Sequence, residues 1–220
     1  MSNIVTIGYT VEGSTDKRFL DAVIKKTFED VALQCDSEIE VYDPIAISKD
    51  TGLGFTDQVI KVAERAYQDG INVLCIHTDA DSPTDTNAYL HKINPAFAAV
   101  NNNGSEICRN VVAIVPVQMI EAWMLSDKEL LKKEMSTSKS NEELEINRPP
   151  ENFADPKEAI KTALRHAQID LPKRRNRIEI VDLYQPMGQK LSIERLQTLP
   201  SFIKFRAAVE EAFRILNFLH

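Results

Sequence analysis

The stretch NVLCIHTDAD, residues 72–81, decides the fold. Its first seven residues form a continuous apolar run with the length of a strand. Such runs are typical of parallel strands that helices cover on both faces. Asp79 and Asp81 follow directly. The stretch therefore predicts a buried strand that ends in two carboxylates.

Strands and helices alternate along the chain on both sides of this run. Further strands are predicted at residues 4–11, 39–47 and 111–115, and helices at about residues 15–28, 56–67 and 87–100. Alternation of this kind favours strands that lie parallel, joined by helices that pack on the sheet. We predict an α/β fold with a central, mostly parallel sheet flanked by helices.

The composition is that of an ordinary soluble globular protein, with 43% hydrophobic and 27% charged residues among 220. That length suffices for one domain, or one domain with an appendage. No apolar run approaches the ~20 residues of a membrane-spanning helix, and the N-terminus lacks the pattern of a secretory signal. Three widely spaced cysteines support neither a disulfide framework nor a zinc site. We therefore expect a cytoplasmic protein with reduced cysteines and no membrane contact.

The net charge of −7 restricts the classes of function. A protein that binds nucleic acid alone usually carries a basic excess, because it must neutralise phosphates. The acidic balance argues against such a binder. It remains compatible with a metal-dependent enzyme, because clustered carboxylates hold Mg²⁺.

The composition changes after about residue 132, which divides the chain into three predicted parts. Residues 1–134 form the candidate metal-binding domain. Residues 135–153, rich in Ser, Glu and Asn, are predicted to be an exposed linker or mobile loop. Residues 154–220 are predicted to be a mainly helical extension that packs on the first domain. Its first helix has strong start signals in Asp155, Pro156 and Glu158.

Acidic residues follow two of the predicted strands. Glu12 comes after the first strand, and Asp79 and Asp81 come after the third. Ligands of open parallel sheets bind at the carboxyl ends of the strands. Three carboxylates brought together repel one another unless a cation joins them, and Mg²⁺ held this way can assist phosphoryl transfer. The alternative is that these acids belong to surface loops and helix caps.

Two motifs resemble the Toprim family. The sequence VEGSTD at residues 11–16, followed by a helix, is similar to its first motif, and HTDADS at residues 77–82 is similar to its D-x-D motif. Toprim domains occur in primases, topoisomerases, a ribosomal RNA maturase and overcoming-lysogenization-defect nucleases. The resemblance covers about residues 1–130. It implies a Rossmann-like sheet, Mg²⁺ bound by Asp79 and Asp81, and Glu12 as general acid/base or further metal ligand.

A third segment, PVQMIEAWMLSD at residues 116–127, resembles an uncharacterised family of small bacterial Toprim-like proteins, as does the helix that starts at Pro200. Such proteins are considered companions of ATPases in phage defence. The resemblance therefore implies an ATPase partner.

Several further acids and a histidine have two interpretations each. Glu121, on the apolar face of a predicted helix, is either a further metal ligand or a buried ion-pair or helix-start acid. Asp127 is expected to cap a helix, and Asp85 to be a solvated loop acid. His77 has the same strand parity as Asp79, but a histidine at the end of a buried strand is more often a satisfied core residue.

A basic run is the only dense positive patch in the sequence. It consists of Lys173, Arg174, Arg175 and Arg177. It is either a solvated loop or a contact for the phosphate backbone of nucleic acid.

The leading hypothesis is a nuclease that hydrolyses phosphodiesters of DNA or RNA with one or two Mg²⁺ or Mn²⁺ ions. Glu12, Asp79 and Asp81 would be catalytic and, with Glu121, would hold the metal. Two alternatives stay open: a non-catalytic Toprim-like subunit that binds a partner, and a small-nucleotide phosphatase, which needs a closed pocket. An oligomer is compatible with each of these three functions.

Overall fold

The computed structural model describes residues 3–104, 106–169 and 177–220. Its strands are β1 (Asn3–Val5), β2 (Ile7–Thr10), β3 (Ile39–Val41), β4 (Ile45–Ala46), β5 (Val73–His77) and β6 (Val111–Ile114). The main sheet has the order β4–β2–β5–β6, β1 pairs with β3, and every pairing is parallel. The prediction of an α/β fold with parallel strands is confirmed.

Helices occupy most of the remaining described chain. They are α1 (Ser14–Ala32), α2 (Phe55–Gln68), α3 (Thr86–Ala88), α4 (Asn94–Asn102), α5 (Glu121–Met124), α6 (Lys128–Glu134), α7 (Pro156–Ala167), α8 (Tyr184–Lys190), α9 (Ile193–Leu196) and α10 (Pro200–Ile215). A π-helical turn at Tyr89–Ile93 joins α3 to α4, and 3₁₀ turns lie at Pro150–Asn152 and Ile180–Asp182. None of the described helices is long and apolar enough to cross a membrane.

The first two predicted strands are each interrupted. The first breaks at Thr6, whose N–H donates to Asn72 Oδ1 at 2.9 Å instead of to a neighbouring strand. The second breaks around Pro44, which has no N–H to contribute to a ladder. These interruptions divide the pairing between a two-stranded and a four-stranded sheet.

The main sheet is buried on both faces. Tyr9, Cys75 and Ile114 point to one face and pack in a core that includes α1, α8 and α10. Leu74 and Ile76, one position away in β5, belong to a second core that includes α2 and α4. Both faces of β5 are therefore apolar, which explains its continuous apolar run.

The segment at residues 135–153, predicted to be an exposed linker or mobile loop, is attached to the core at four buried positions. Leu144 and Ile146 are 0% exposed and belong to the same core as Tyr9, and Met135 and Phe153 are also buried there. The polar composition of the segment describes its outer surface, while two isolated aliphatic side chains fix it to the core.

The last helix is anchored to the segment that follows β6. Trp123 is fully buried and donates from Nε1 to Ser201 Oγ at 2.7 Å. Its indole packs against Phe202 and Phe205 at centroid distances of 5.2 and 6.0 Å. The aromatic stripe of α10 is therefore core.

Two helix caps follow the sequence prediction. Asp127 accepts a hydrogen bond from the N–H of Leu130 at 2.9 Å, and Asp155 accepts one from the N–H of Glu158 at 2.8 Å. Gly13 occupies the N-cap position of α1, so this helix starts at residue 14, one residue before the predicted start.

Helix α8 approaches α1 so closely that backbone touches backbone. A methyl group added at Gly188 would lie 2.5 Å from the carbonyl oxygen of Phe19 and 2.9 Å from its Cα. No side chain fits in that space. Glycine at this position lets α8, and with it the C-terminal third of the chain, pack directly on α1.

We expect Gly188→Ala to lower the free energy of unfolding by about 1–3 kcal/mol, because the added methyl group forces two helix backbones apart. Urea unfolding measures the change. Gly104→Ala is the matched control, since nothing lies within 4 Å of an added Cβ there, and its effect should stay within about 0.5 kcal/mol. Equal stability of the two variants would contradict the tight packing of α8.

Candidate active site at the carboxyl edge of the sheet

Loops from four neighbouring strands meet at the carboxyl edge of the main sheet. The strand order places the loop after β4 beside the loop after β2, followed by the loops after β5 and β6. In that order the loops carry Lys49, Glu12, Asp79 and Ile120. Two of the predicted acids thus come from adjacent strands.

Glu12 is exposed and is held by a neighbouring loop. Its Oε1 accepts a hydrogen bond from the buried hydroxyl of Thr78 at 2.8 Å. The next residue, Gly13, donates its N–H to the Asp16 carboxylate at 2.8 Å, and Asp16 is itself buried. The start of α1 therefore brings a second acid to this edge.

Asp79 is the most perturbed acid of the group. Its Oδ1 accepts the N–H of Ile120 at 3.1 Å. Burial raises the pKa of Asp79, His77 opposes that rise, and the charges of Glu12 and Asp16 add to it. The negative charges of Glu12 and Asp16 therefore act on Asp79 across the site.

His77 lies beneath Asp79 and is 0% exposed. Its Nε2 is 3.4 Å from Asp79 Oδ1, a long contact that is electrostatic in character. Neither ring nitrogen makes a hydrogen bond with any described residue. The ring is therefore buried, as predicted for a core histidine, and Asp79 is its electrostatic partner.

Asp81 is in a different environment from Asp79. Its side chain is 69% exposed, and its closest cation is Lys92, with Nζ 3.9 Å from Oδ2. The backbone is left-handed at Asp81 (φ 49°) and at Gln118 (φ 60°), and the N–H of Asp81 donates to the Gln118 carbonyl at 2.9 Å. Non-glycine residues rarely adopt this conformation. This backbone conformation interrupts the extended chain. In an extended chain the side chain of Asp81 would have pointed to the same side as that of Asp79.

Glu121 is engaged by the C-terminal part of the chain. It is 2% exposed, accepts a hydrogen bond from the Tyr184 hydroxyl and pairs with Lys157 at 3.3 Å. Burial and the Glu121 carboxylate raise the pKa of Tyr184, so its phenol stays protonated as the donor. Glu121 is thus the first residue of α5 and is paired with Lys157.

The four predicted acids are therefore not one preformed ligand set. Glu12 and Asp79 interact electrostatically, whereas Asp81 faces solvent and Glu121 is bound by Tyr184 and Lys157. Among the described residues, no three His, Cys, Asp or Glu side chains are grouped so that they could hold a metal ion.

Two lysines at this edge were missed by the sequence analysis. Lys92 donates to Thr78 Oγ1 at 3.1 Å, and the charge of Lys49 interacts with those of Glu12, Asp16 and Lys92. No spacing rule identifies them, because Lys49 lies in a long loop and Lys92 in a π-helical turn.

Two other sequence predictions concern charged residues elsewhere. Asp85 is not a solvated loop acid, since it is buried and pairs with Lys204 at 2.5 Å. Of the basic run, Lys173, Arg174 and Arg175 lie outside the described residues, and Arg177 is exposed at a surface cleft of the C-terminal part.

A family model matches residues 11–210, nearly the whole chain. The chain belongs to the DUF4276 family, a domain of unknown function. The DUF4276 match starts at the end of β2 and stops within α10, so it includes both the acidic edge and the C-terminal helices that pack behind it. No curated protein and no solved structure matches this DUF4276 chain.

We expect Asp79→Asn to stabilise the protein at pH 7. Because the folded-state pKa of Asp79 lies above its unfolded value, the ionised carboxylate opposes folding. The amide removes that charge and keeps an oxygen for the Ile120 N–H. The gain should disappear as the pH falls below the unfolded-state pKa of about 3.9, where both states are protonated.

Urea unfolding in the presence of chelator, at pH 7 and near the acid limit of the folded state, measures this difference. Asp69→Asn, at an exposed aspartate after α2, serves as the control and should leave the stability unchanged at both pH values. A lower stability of Asp79→Asn at pH 7 would contradict the raised pKa.

Proposed function

We propose that this protein is a divalent-metal-dependent phosphodiesterase of Toprim type, a nuclease with Glu12 and Asp79 at its centre. The observation that carries the proposal is that Glu12 and Asp79 follow adjacent parallel strands at one carboxyl edge, where burial and the charges of Glu12 and Asp16 raise the pKa of Asp79. A fold maintains such repulsion at a cost in stability, and a bound cation would relieve it.

The donor chemistry of this edge fits Mg²⁺ or Mn²⁺. Mg²⁺ uses one or two carboxylates and keeps several waters, so Glu12 and Asp79 suffice as protein ligands. Structural zinc, with four protein ligands, does not fit the described residues. Asp81 would act as a further ligand after its exposed carboxylate turns away from Lys92, a contact of only 3.9 Å.

When bound, the metal polarises a phosphoryl oxygen and lowers the pKa of an attacking water. The other steps belong to the chain's own residues. The Ile120 N–H orients Oδ1 of Asp79, and Thr78 orients Oε1 of Glu12. Glu12 is exposed, and its second oxygen can accept the proton of the attacking water.

Glu121 has a supporting role in this proposal. It directly follows Ile120, and its carboxylate is fixed by Tyr184 and Lys157. The backbone that donates to Asp79 is thereby attached to α8 and α7. The C-terminal helices would then position the catalytic aspartate.

The acidic net charge favours a partner that supplies the basic surface for nucleic acid. With a net charge of −7 the isolated chain repels a polyanion as a whole. We propose that an ATPase, as implied by the resemblance to small Toprim-like proteins, performs this task in phage defence.

The direct test is incubation with single-stranded DNA, plasmid DNA and transfer RNA in Mg²⁺, Mn²⁺ or chelator. We expect cleavage that requires metal and falls at least about 100-fold in Glu12→Gln and Asp79→Asn, because each removes a metal ligand or proton acceptor. Asp69→Asn should cleave like the wild type. Cleavage that persists in chelator, or in Asp79→Asn, would contradict the proposal.

Metal binding is tested separately from catalysis. Mg²⁺ at ten times its dissociation constant should raise the free energy of unfolding by about 1.4 kcal/mol. Calorimetry should detect this rise for the wild type and for Asp69→Asn, and a much smaller one for Asp79→Asn. A wild type that neither cleaves nor responds to Mg²⁺ or Mn²⁺ would remove the metal site from the isolated chain.

A further inference from the structure

Lys49 is a half-buried lysine without an ion pair. It lies in the loop after β4, and its Nζ is 6.0 Å from the centre of the Phe55 ring. No carboxylate of the described residues lies within the 4.0 Å of an ion pair with it. Burial lowers its pKa, while Glu12 and Asp16 raise it. A lysine that is partly desolvated but unpaired leaves its donors available to a ligand.

Lys92 approaches the same edge from the other side. It belongs to the π-helical turn Tyr89–Ile93 that joins α3 to α4. Such turns are rare and frequently occur at functional sites. Its Nζ donates to Thr78 Oγ1 at 3.1 Å, and Thr78 donates to Glu12 at 2.8 Å. A single hydroxyl therefore connects Lys92 to the central acid.

The two ammonium groups are close enough to influence each other. Burial is the main cause of the lowered pKa of Lys49, and the charge of Lys92 adds to it. The strand order places the loop of Lys49 beside that of Glu12, and Lys92 is connected to Glu12 through Thr78, so both lysines lie at this edge. If the lysines served only to neutralise the acids, ion pairs would be expected. Instead, neither Glu12 nor Asp16 pairs with any described cation within 4.0 Å, and Lys92 has a long ion pair of 3.9 Å with the exposed Asp81.

We propose that Lys49 and Lys92 together bind one phosphate group of the substrate, beside Glu12 and Asp79. A phosphate has several acceptor oxygens and can receive hydrogen bonds from both ammonium groups at once. Lysine acts there as a compact point charge with rotatable donors. This phosphate site adds a substrate contact to the proposed function, and its role in catalysis rests on that function. Binding of the phosphate by the two lysines requires no cleavage.

The geometry also explains how an acidic protein can bind a polyanion locally. Lys49 and Lys92 would hold one phosphate beside Glu12 and leave the scissile phosphate at the carboxylates. The substrate would then be a phosphodiester with a neighbouring phosphate, as in an oligonucleotide. A free nucleotide or inorganic phosphate shares the same chemistry, and competition with the oligonucleotide distinguishes it.

The experiment is fluorescence anisotropy of a labelled single-stranded oligonucleotide in chelator, where metal-dependent cleavage is off. We expect Lys49→Met and Lys92→Met each to weaken binding about 5- to 10-fold, and the double variant about 50-fold. The slope of log affinity against log salt should become shallower by about 0.7 in the double variant, because the two lysines neutralise one phosphate. Lys61→Met, at an α2 lysine paired with Glu64, is the matched control and should bind like the wild type.

Two further measurements test which kind of molecule supplies the phosphate and whether the lysines act through their charge. Displacement of the oligonucleotide by millimolar inorganic phosphate would support recognition of an isolated phosphate, and failure of that displacement would support recognition of the nucleic-acid backbone. Lys49→Arg and Lys92→Arg keep the charge and should retain most of the affinity. Losses as large as in the methionine variants would attribute the effect to packing and overturn the proposal.

The proposal is also overturned if both methionine variants bind like Lys61→Met, or if the wild type binds neither probe. Failure of the phosphate site can be distinguished experimentally from failure of the proposed nuclease function. A wild type that binds through Lys49 and Lys92 but never cleaves with metal would keep the phosphate site and reject the nuclease.

Discussion

The contact of backbone with backbone between α8 and α1 is the constraint on which the site depends. Gly188 has no Cβ, so α8 lies directly against Phe19 of α1. Helix α1 begins at the acidic edge, and α8 begins with Tyr184, whose hydroxyl binds Glu121. One contact thereby fixes the start of α1 relative to the residues behind Asp79. The C-terminal helices are therefore a structural part of the candidate site, although Tyr184 of α8 follows Glu121 by 63 residues in the chain.

Each carboxylate at this edge accepts a hydrogen bond from a different donor. Glu12 receives the hydroxyl of Thr78, Asp79 the N–H of Ile120, and Glu121 the phenol of Tyr184. None of these arrangements removes the repulsion felt by Asp79. The site is thus stabilised locally, one carboxylate at a time, while the charges of Glu12 and Asp16 still act on Asp79. Residual strain of this kind is typical of sites that are completed by a ligand.

The sequence was sufficient to predict parallel strands and the edge of the sheet at which Glu12 and Asp79 lie. The apolar run before Asp79 and the position of Glu12 after β2 depend on burial and strand ends, which are local properties. The orientation of Asp81 was not predictable, because a left-handed backbone reversed the expected alternation. Lys92 was missed because a π-helical turn changes which helix positions share a face. Leu144 and Ile146 were missed because two isolated aliphatic residues in a polar segment carry no periodicity.

The anchor of the last helix makes this chain easy to observe in solution. Trp123 is the single tryptophan of the sequence, fully buried two residues after Glu121. Its partner Ser201 is 78 residues away and also binds the carboxylate of Glu151. Intrinsic tryptophan emission therefore comes entirely from the junction between the segment after β6 and α10. A red shift of that emission signals water entering between two distant parts of the chain, which makes the indole a built-in reporter of their association.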